Sequence, residues 1–290
     1  MEIQWLRAFL AIAERGSVSE GAAQLHLTQP AASKRLATLE QQLGTALFNR
    51  IGRRLQLTDA GQALLPRARH ILNEISDTER ELRALGSSVN GSLRIATSHH
   101  VGLHHLPPVL REFSNRYPQV TLDIDFVDSE QAYEALMAAQ YELAVVTLAL
   151  KEYPQLNAQI IWPDPCVVVA APDHPLTKIS ELALTDLANY PAILPDLNTY
   201  TGRLIKREFD AHGLKLSAKL ATNFLETIKM MACVGLGWSV LPRTLVDNSL
   251  AILPVEKLQI LRNLGVISHR GRTLSNAARA LQQMLLEVAK

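Results

Sequence analysis

Cysteine is almost missing from this 290-residue chain: Cys166 and Cys233 are the only two, and no C-x-x-C spacing joins them. A disulfide framework and a thiolate zinc ribbon are therefore excluded, and a reducing, cytoplasmic location is expected. Long apolar runs are also missing. The longest, around Cys166–Ala171, has the length of a strand and falls far short of the roughly 18 residues of a membrane span. The opening Met1-Glu2-Ile3-Gln4-Trp5 has no basic stretch followed by an apolar core, so neither a secretory signal nor a membrane partner is expected. G-x-S-x-G, Walker A and H-E-x-x-H patterns do not occur, and Gly235-Leu236-Gly237 is too short for a dinucleotide loop. No catalytic residue and no cofactor is expected, and an enzyme is disfavoured. Internal repeats and low-complexity tracts are absent as well.

What is present is an ordinary globular composition, 48% hydrophobic and 20% charged, in a chain long enough for two or three domains. The net charge is +1, unevenly placed: residues 1–70 carry nine Lys/Arg against five Asp/Glu, and the rest of the chain is slightly acidic. A basic head on an acidic body points to a polyanion at the head. A solute-binding protein, the competing reading, fits neither that head nor the missing signal.

Leu6, Phe9, Leu10 and Ala13 recur at helical spacing, and Gly16 ends that helix. Ser17 or Ser19 can cap a second helix through Ala22, Ala23 and Leu25, with the small Ala22-Ala23 pair allowing close approach. After a short turn at His26-Leu27, Thr28 is placed as the cap of a third helix, with Pro30 in its first turn. That helix runs from about Gln29 to Leu43 on an apolar face of Ala32, Leu36, Leu39 and Leu43, and Gly44 stops it. The opposite face carries Gln29, Ser33, Lys34 and Thr38, with Arg35 beside it. This is the helix-turn-helix pattern, whose second motif helix enters the major groove. Gln29 suits adenine N6/N7, Ser33 donates or accepts, and Lys34 or Arg35 reaches guanine or phosphate. The alternating run Leu47–Thr58 folds back at Gly52 as a hairpin with Arg50, Arg53 and Arg54 near its tip, placed for phosphates or a narrow minor groove.

Thr58-Asp59-Ala60-Gly61 opens a long helix. Leu57, Leu64, Ala68, Ile71, Ile75, Thr78, Leu82 and Leu85 form a seam of near-heptad spacing, with charged residues opposite. One apolar stripe on a lone helix needs a partner, so dimerisation is expected here, and a dimer presents the two heads that a palindromic site requires. Residues 86–91, polar and glycine-rich, are a hinge.

Beyond residue 91, strand and helix alternate, and an open, largely parallel sheet is expected. Strands are placed at Leu93–Thr97, Val120–Val127, Glu142–Leu148, Ile160-Ile161, Cys166–Ala171, Ala192–Leu194, Lys219–Ala221, Trp238–Leu241 and Leu264–Ser268. Helices are placed at Val101–Tyr117 (broken by Pro107-Pro108 near its start and closed by Pro118), Ser129–Ala139, Ile179–Ala188, Thr201–Ala211, Leu225–Val234 and Leu274–Val288. In such sheets ligands sit at strand C-termini and helix N-termini. Thr97, Ser98, His99, His100, Ser129, Thr147, Thr199, Thr201 and Glu226-Thr227 lie at those junctions and are the candidate effector contacts, although hydroxyls there also serve as plain helix caps. Ser98–His105 holds four of the nine histidines. His100 and His104, four apart, have a spacing that can hold a transition metal, but no acid or cysteine lies close in sequence to complete a site, and no metal is expected.

Leu6–Gly61, above all Gly16–Ser33 and Leu39–Gly61, resembles the LysR-type transcriptional regulators. Leu93-Arg94-Ile95, Leu106-Pro107-Pro108, Tyr117-Pro118 and Gly235–Pro242 resemble that family's effector domain. The resemblance implies an α+β multidomain protein. Residues 1–58 would form a winged helix-turn-helix that binds double-stranded DNA at an interrupted palindrome, and residues 59–90 a linker helix and hinge for dimerisation. Residues 91–290 would form an α/β effector domain like periplasmic binding proteins, with subdomain I at about 91–162 and 265–290 and subdomain II at about 163–264. It also implies a homotetramer built as a dimer of dimers, a small-molecule effector in the cleft, and RNA polymerase as a further partner; the effector is expected to be a small organic anion, an amino acid or a carboxylate metabolite, although no arginine sits at the expected junctions. By position, Gln29, Pro30 and Ser33 match the family's base-facing residues, while Lys34-Arg35 departs from its usual arginine-then-glutamine.

Overall fold

The computed structural model describes all residues except 52–53, 85–87, 217, 256–257 and 290, with backbone alone for 50, 51, 54, 77, 80, 81, 83 and 84. Arg53 of the expected wing tip, Leu85 of the expected seam and Gly86-Ser87 of the expected hinge thus lie outside the described residues. The chain divides into two compact units, Met1–Leu85 and Gly86–Lys290.

The first unit contains α1 (Ile3–Arg15), α2 (Val18–Gln24), α3 (Gln29–Leu43), the antiparallel pair β1 (Phe48–Ile51) and β2 (Arg54–Leu57), and α4 (Asp59–Ala84). Local chemistry sets the boundaries. Gly16 and Gly44 end α1 and α3 in the left-handed conformation, at φ 63° and 67°. The Ser17 hydroxyl accepts from Glu20 N–H at the start of α2, and the Thr58 hydroxyl accepts from Gly61 N–H at the start of α4. Thr28 occupies the cap position of α3, but its side chain makes no capping bond. Leu6, Phe9 and Ile12 of α1 pack with Leu36 and Leu39 of α3, Leu47, and Ala68 of α4. Leu43, expected on the buried face of α3, is 41% exposed, because the chain turns away at Gly44 one residue later. The seam of α4 divides. Leu64, Ala68 and Ile71 cover the core of their own unit, whereas Leu82 is 65% exposed.

The second unit runs β3 (Gly91–Thr97), α5 (His99–His104), α6 (Leu106–Arg116), β4 (Val120–Phe126), α7 (Ser129–Met137), β5 (Leu143–Thr147), β6 (Leu156–Ala170), α8 (Leu184–Leu187), β7 (Ala192–Leu194), α9 (Tyr200–Ala211), β8 (Ala218–Ala221), α10 (Leu225–Cys233), β9 (Ser239–Pro242), β10 (Ala251–Leu253), β11 (Ile260–His269) and α11 (Asn276–Val288). The main sheet has the order β10-β6-β11-β5-β3-β4, with β9 also paired to β6. It is mixed where a largely parallel sheet was expected. Within it only β4, β3 and β5 run parallel, and the short β7–β8 pair outside it is also parallel. β11 is antiparallel to both β5 and β6. The reason is topological: β6 carries the chain out of one half of the unit and β11 returns it along the same ladder, so the two must oppose.

Other expectations are corrected locally. Ile160-Ile161 and Cys166–Ala171 belong to one 15-residue strand, β6, that passes straight through Pro163 and Pro165. The two prolines are two residues apart and so aim their missing N–H groups to the same side, and β9 and β10 join β6 only from Cys166 onward. The break expected at Pro107-Pro108 within Val101–Tyr117 is present and falls at His105, dividing α5 from α6, since neither proline can donate back across it. Of Ile179–Ala188, only α8 is helical. Leu182 is buried and bridges Val255, which overrides helix propensity before it.

One half of this unit is organised around Leu93, Ile95, Phe113, Val145, Val266 and Leu281, with Tyr133, Leu136 and Val146 in a second core. The other half is built around Val168, Leu194, Phe209, Trp238 and Val240, with Ile193, Ile228 and Leu241. β6 and β11 contribute to both.

Candidate nucleic-acid interface and ligand cleft

In the first unit, α2, the turn at Leu25–Leu27 and α3 form the helix-turn-helix. His26 adopts φ 54°, an uncommon value for a non-glycine residue, and this lets the chain reverse in so few residues. Thr28, Gln29, Pro30 and Lys34 are exposed, and Ser33 and Arg35 are half-buried. Gln29 Nε2 lies 3.3 Å from Ser33 Oγ, an i,i+4 contact that orients both polar groups on one face. Arg35 lines a shallow hollow with Arg7 and Leu25, off the centre of that face. Arg50 stands in β1 opposite Leu55, and Arg54 in β2 opposite Ile51. The wing is therefore a two-stranded hairpin, tied to the end of α1 by the Leu55 N–H donating to the Gly16 carbonyl.

In the second unit a cleft of about 240 Å³ draws its walls from both halves. Ser98, His99, His100, Ser129, Thr147, Thr199 and Thr201 of the sequence-selected residues line it. Thr97 does not. It is fully buried, and its hydroxyl donates to the Val145 carbonyl at 2.8 Å. Glu226 also lies outside the lining, paired instead with His104 (2.9 Å) and His99 (3.3 Å). Several of the hydroxyls have structural duties. Ser129 accepts from Thr147 N–H, and Thr199 accepts from Gly202 N–H as the cap of α9. The N-termini of α7, α9 and α10 all open on the cleft, so the positive ends of three helices converge there.

Reasoning from sequence missed the group at the cleft floor. Arg262, 3% exposed, is the cross-strand partner of Asp164, 1% exposed, and its Nε donates to Asp164 Oδ2 at 2.5 Å. Nη1 reaches the Thr201 hydroxyl at 3.5 Å, while Nη2 is buried and has no hydrogen-bond partner among the described residues. A signal existed: Ile260, Arg262 and Leu264 alternate onto one buried face, so a guanidinium stands where an apolar side chain belongs. Also missed were Glu130, which accepts the Tyr200 N–H across the cleft, and Asn223, which donates to Asp128 at 2.9 Å and accepts from Asp196 N–H. Burial pushes the Glu130 carboxyl upward against the hydrogen bonds that favour its charge. The His100 imidazole is pushed down to about 2 by burial first, then by the Arg262 charge and its histidine neighbours, and so stays neutral. Phe126 and Phe224, each 54% exposed, flank His99 at the rim.

Two sequence profiles cover nearly all of the chain. One, described as a bacterial regulatory helix-turn-helix protein of the lysR family, matches residues 3–62, and the other, the LysR substrate binding domain, matches residues 86–290. A RuBisCO operon transcriptional regulator from Allochromatium vinosum is 28% identical over 294 residues, spanning 100% of this chain and 97% of that protein. An uncharacterized HTH-type transcriptional regulator from the ibpB-leuC intergenic region of Azotobacter vinelandii is 58% identical over 108 residues, 37% of this chain and 75% of that one. The solved structure of full-length CbnR complexed with its target DNA shares the fold, with a TM-score of 0.69 at 20% identity over all of both chains. With a helix-turn-helix head and a substrate-binding body each matched along its length, the chain belongs to the LysR family of transcriptional regulators.

Proposed function

We propose that this regulator reads an interrupted palindrome in double-stranded DNA and is switched by a small organic anion, of the amino-acid or hydroxy-acid class, bound in the cleft of its second unit. On the DNA side, Gln29, Pro30 and Ser33 address base edges. Thr28, Lys34, Arg35 and the wing arginines Arg50, Arg53 and Arg54 address phosphates and the minor groove. The exposed Leu82 end of α4 supports pairing of two chains, and the full assembly is a tetramer of two such dimers, acting in the cytoplasm with RNA polymerase as a further partner and without catalytic turnover.

The observation that carries the ligand class is Arg262. A buried guanidinium with an unused Nη2, facing a cleft onto which three helix N-termini open, is a receptor for negative charge. Glu130, half-buried in the same cleft lining, favours a ligand that also carries a donor, an amino or hydroxyl group. The small cavity volume, below the range that holds drug-sized ligands, limits the effector to a small metabolite. The effector would shift an existing equilibrium between cleft conformations and so re-space the DNA heads.

Thermal-shift titration of the full-length protein with paired carboxylates and their amides tests the ligand class. A carboxylate should raise the melting temperature where its amide does not. Equal stabilisation by both removes the anion reading. For the DNA side, Gln29→Ala should relax base preference at one position, by about 1–3 kcal/mol. Unchanged selectivity would mean that α3 is turned differently in the groove.

A further inference from the structure

We infer that His100, His104 and Glu226 form a binding site for a first-row divalent transition-metal ion that ties α5 to α10 beside the cleft. His100 and His104 stand one helical turn apart on α5, and their rings lie 4.8 Å apart. Glu226 is in the first turn of α10, which belongs to the other half of the unit. One donor atom from each of the three lies within 4.8 Å of the others. Glu226 Oε1 is 2.9 Å from His104 Nε2 and 3.8 Å from His100 Nδ1. Metal–ligand bonds of about 2.0–2.2 Å require neighbouring donors roughly 3.4 Å apart, so these distances bracket the need.

The independent observation is His100 itself. It is 4% exposed, and neither ring nitrogen has a hydrogen-bond partner among the described residues. A buried imidazole is seldom left without any partner. A metal on Nδ1 would satisfy one nitrogen. The other, Nε2, faces Asp164 at 3.9 Å, in the manner of the outer carboxylates that orient metal-bound histidines. His99 Nδ1, 3.3 Å from the second Glu226 oxygen, steadies the carboxylate from its far side.

A second set, His100, His105 and Asp164, is also close enough to hold an ion. It is the poorer site because the Arg262 guanidinium already occupies the Asp164 carboxylate at 2.5 Å and would repel a cation. Two imidazoles and one carboxylate suit Zn²⁺, Ni²⁺, Co²⁺, Cu²⁺ or Fe²⁺. Mg²⁺ and Ca²⁺ prefer all-oxygen sets, and Cu⁺ prefers sulfur. Because α5 and α10 come from different halves, and His99 and His100 also line the cleft, a bound ion would couple to the opening of the cleft. Metal and effector would then alter each other's affinity by equal factors. The site itself does not depend on which class of effector binds.

The test uses the full-length protein, stripped with a chelator and titrated with Zn²⁺ against a chromophoric competitor, without DNA or effector. One Zn²⁺ per chain is expected, with no response to Mg²⁺. Glu226→Gln and His104→Gln should each weaken binding at least tenfold, while His105→Gln and His212→Gln leave it unchanged. Circular dichroism confirms that each variant is folded. Should either fail to fold, His104→Cys provides the alternative: Co²⁺ bound there should gain a thiolate charge-transfer band that the parent protein lacks. Absence of stoichiometric Zn²⁺ binding overturns the inference. So does binding that survives both the Glu226 and His104 substitutions, or loss on His105→Gln with retention in Glu226→Gln.

Discussion

Replacing Arg262 by Met should destabilise the protein far more than replacing Arg262 and Asp164 together. The pair lies where β6 and β11 cross between the two halves, with side chains 1–3% exposed and Nε to Oδ2 at 2.5 Å. Met fills much of the volume of Arg but leaves the Asp164 carboxylate in a low-dielectric site, facing His100, with no counter-charge. Breaking a buried pair in this way costs about 3–5 kcal/mol, whereas exchanging both partners for apolar residues is often near neutral. For a unit of this size about 1 kcal/mol moves the melting temperature by roughly 2–4 °C, so the single variant should melt about 6–20 °C lower. Asp164→Leu alone strands the guanidinium and should fall in the same range. The double variant Arg262→Met/Asp164→Leu should recover most of the loss, giving a coupling energy of several kcal/mol by about the same arithmetic. Differential scanning calorimetry of the full chain measures all four proteins of the cycle. Two single variants each costing less than about 1 kcal/mol, or a double variant costing their sum, would refute the claim that the charges depend on each other. The double variant also separates two roles of Arg262: it should fold, yet no carboxylate should raise its melting temperature, because Nη2 is gone.

Further outcomes follow from other parts of the chain. Burial pushes the Cys166 thiol up to about 12, with Asp164 adding to the effect against Arg262, so at pH 8 only about 10⁻⁴ of it is thiolate. A thiol reagent should therefore label Cys233 alone in the native protein and both cysteines in denaturant. A Cβ at Gly61 would sit 2.2 Å from the Leu47 carbonyl oxygen, so Gly61→Ala should force α4 off the helix-turn-helix core and lower DNA affinity together with stability, read by melting and by fluorescence anisotropy. Burial holds the His174 imidazole below its usual value of 6.5, against the pull of Asp173, and its Nδ1 accepts from Leu176 N–H at 3.2 Å. The unfolded chain thus binds the extra proton first. The stability tied to neutral His174 is present above pH 6.5 and is lost as pH falls below it, so His174→Asn should narrow the gap between melting temperatures at pH 7.5 and 5.5. Leu82→Asp on the exposed end of α4 should shift a dimer toward monomer by at least about 100-fold in Kd, since two buried leucines are worth roughly 3–6 kcal/mol, measured by light scattering on a sizing column.

The head could be read from its sequence because everything that shapes it is close in the chain. Gly16, Ser17 and Gly44 act on backbone within a few residues, and the face of Ala32, Leu36 and Leu39 follows from helical spacing alone. The seam of α4 was equally regular, yet spacing does not say whose surface a stripe covers: Leu64, Ala68 and Ile71 turn to their own chain, and Leu82 does not. The sheet was misjudged for a related reason. Strand–helix alternation describes β3, β4 and β5, but β6 and β11 are long strands joined through an entire half of the unit, and their antiparallel pairing comes from that return path.

The cleft shows where such reading stops. Ser98, Ser129, Thr199 and Thr201 were accessible because a strand-to-helix junction is itself a local feature, and alternation along Leu93, Ile95 and Thr97 also explains why Thr97 points into the core instead. Arg262 had its own local mark, a charge in step with two buried apolar residues. Glu226 and Asp164 had none with respect to the histidines: Asp164 lies about 60 residues further on, in β6, and Glu226 further still, on α10 of the other half. The absence of a nearby acid therefore argued against a metal at Ser98–His105 only so long as sequence neighbours stood in for spatial ones. Once β6 and β11 bring the halves together, the carboxylate that the histidine pair lacked comes from α10.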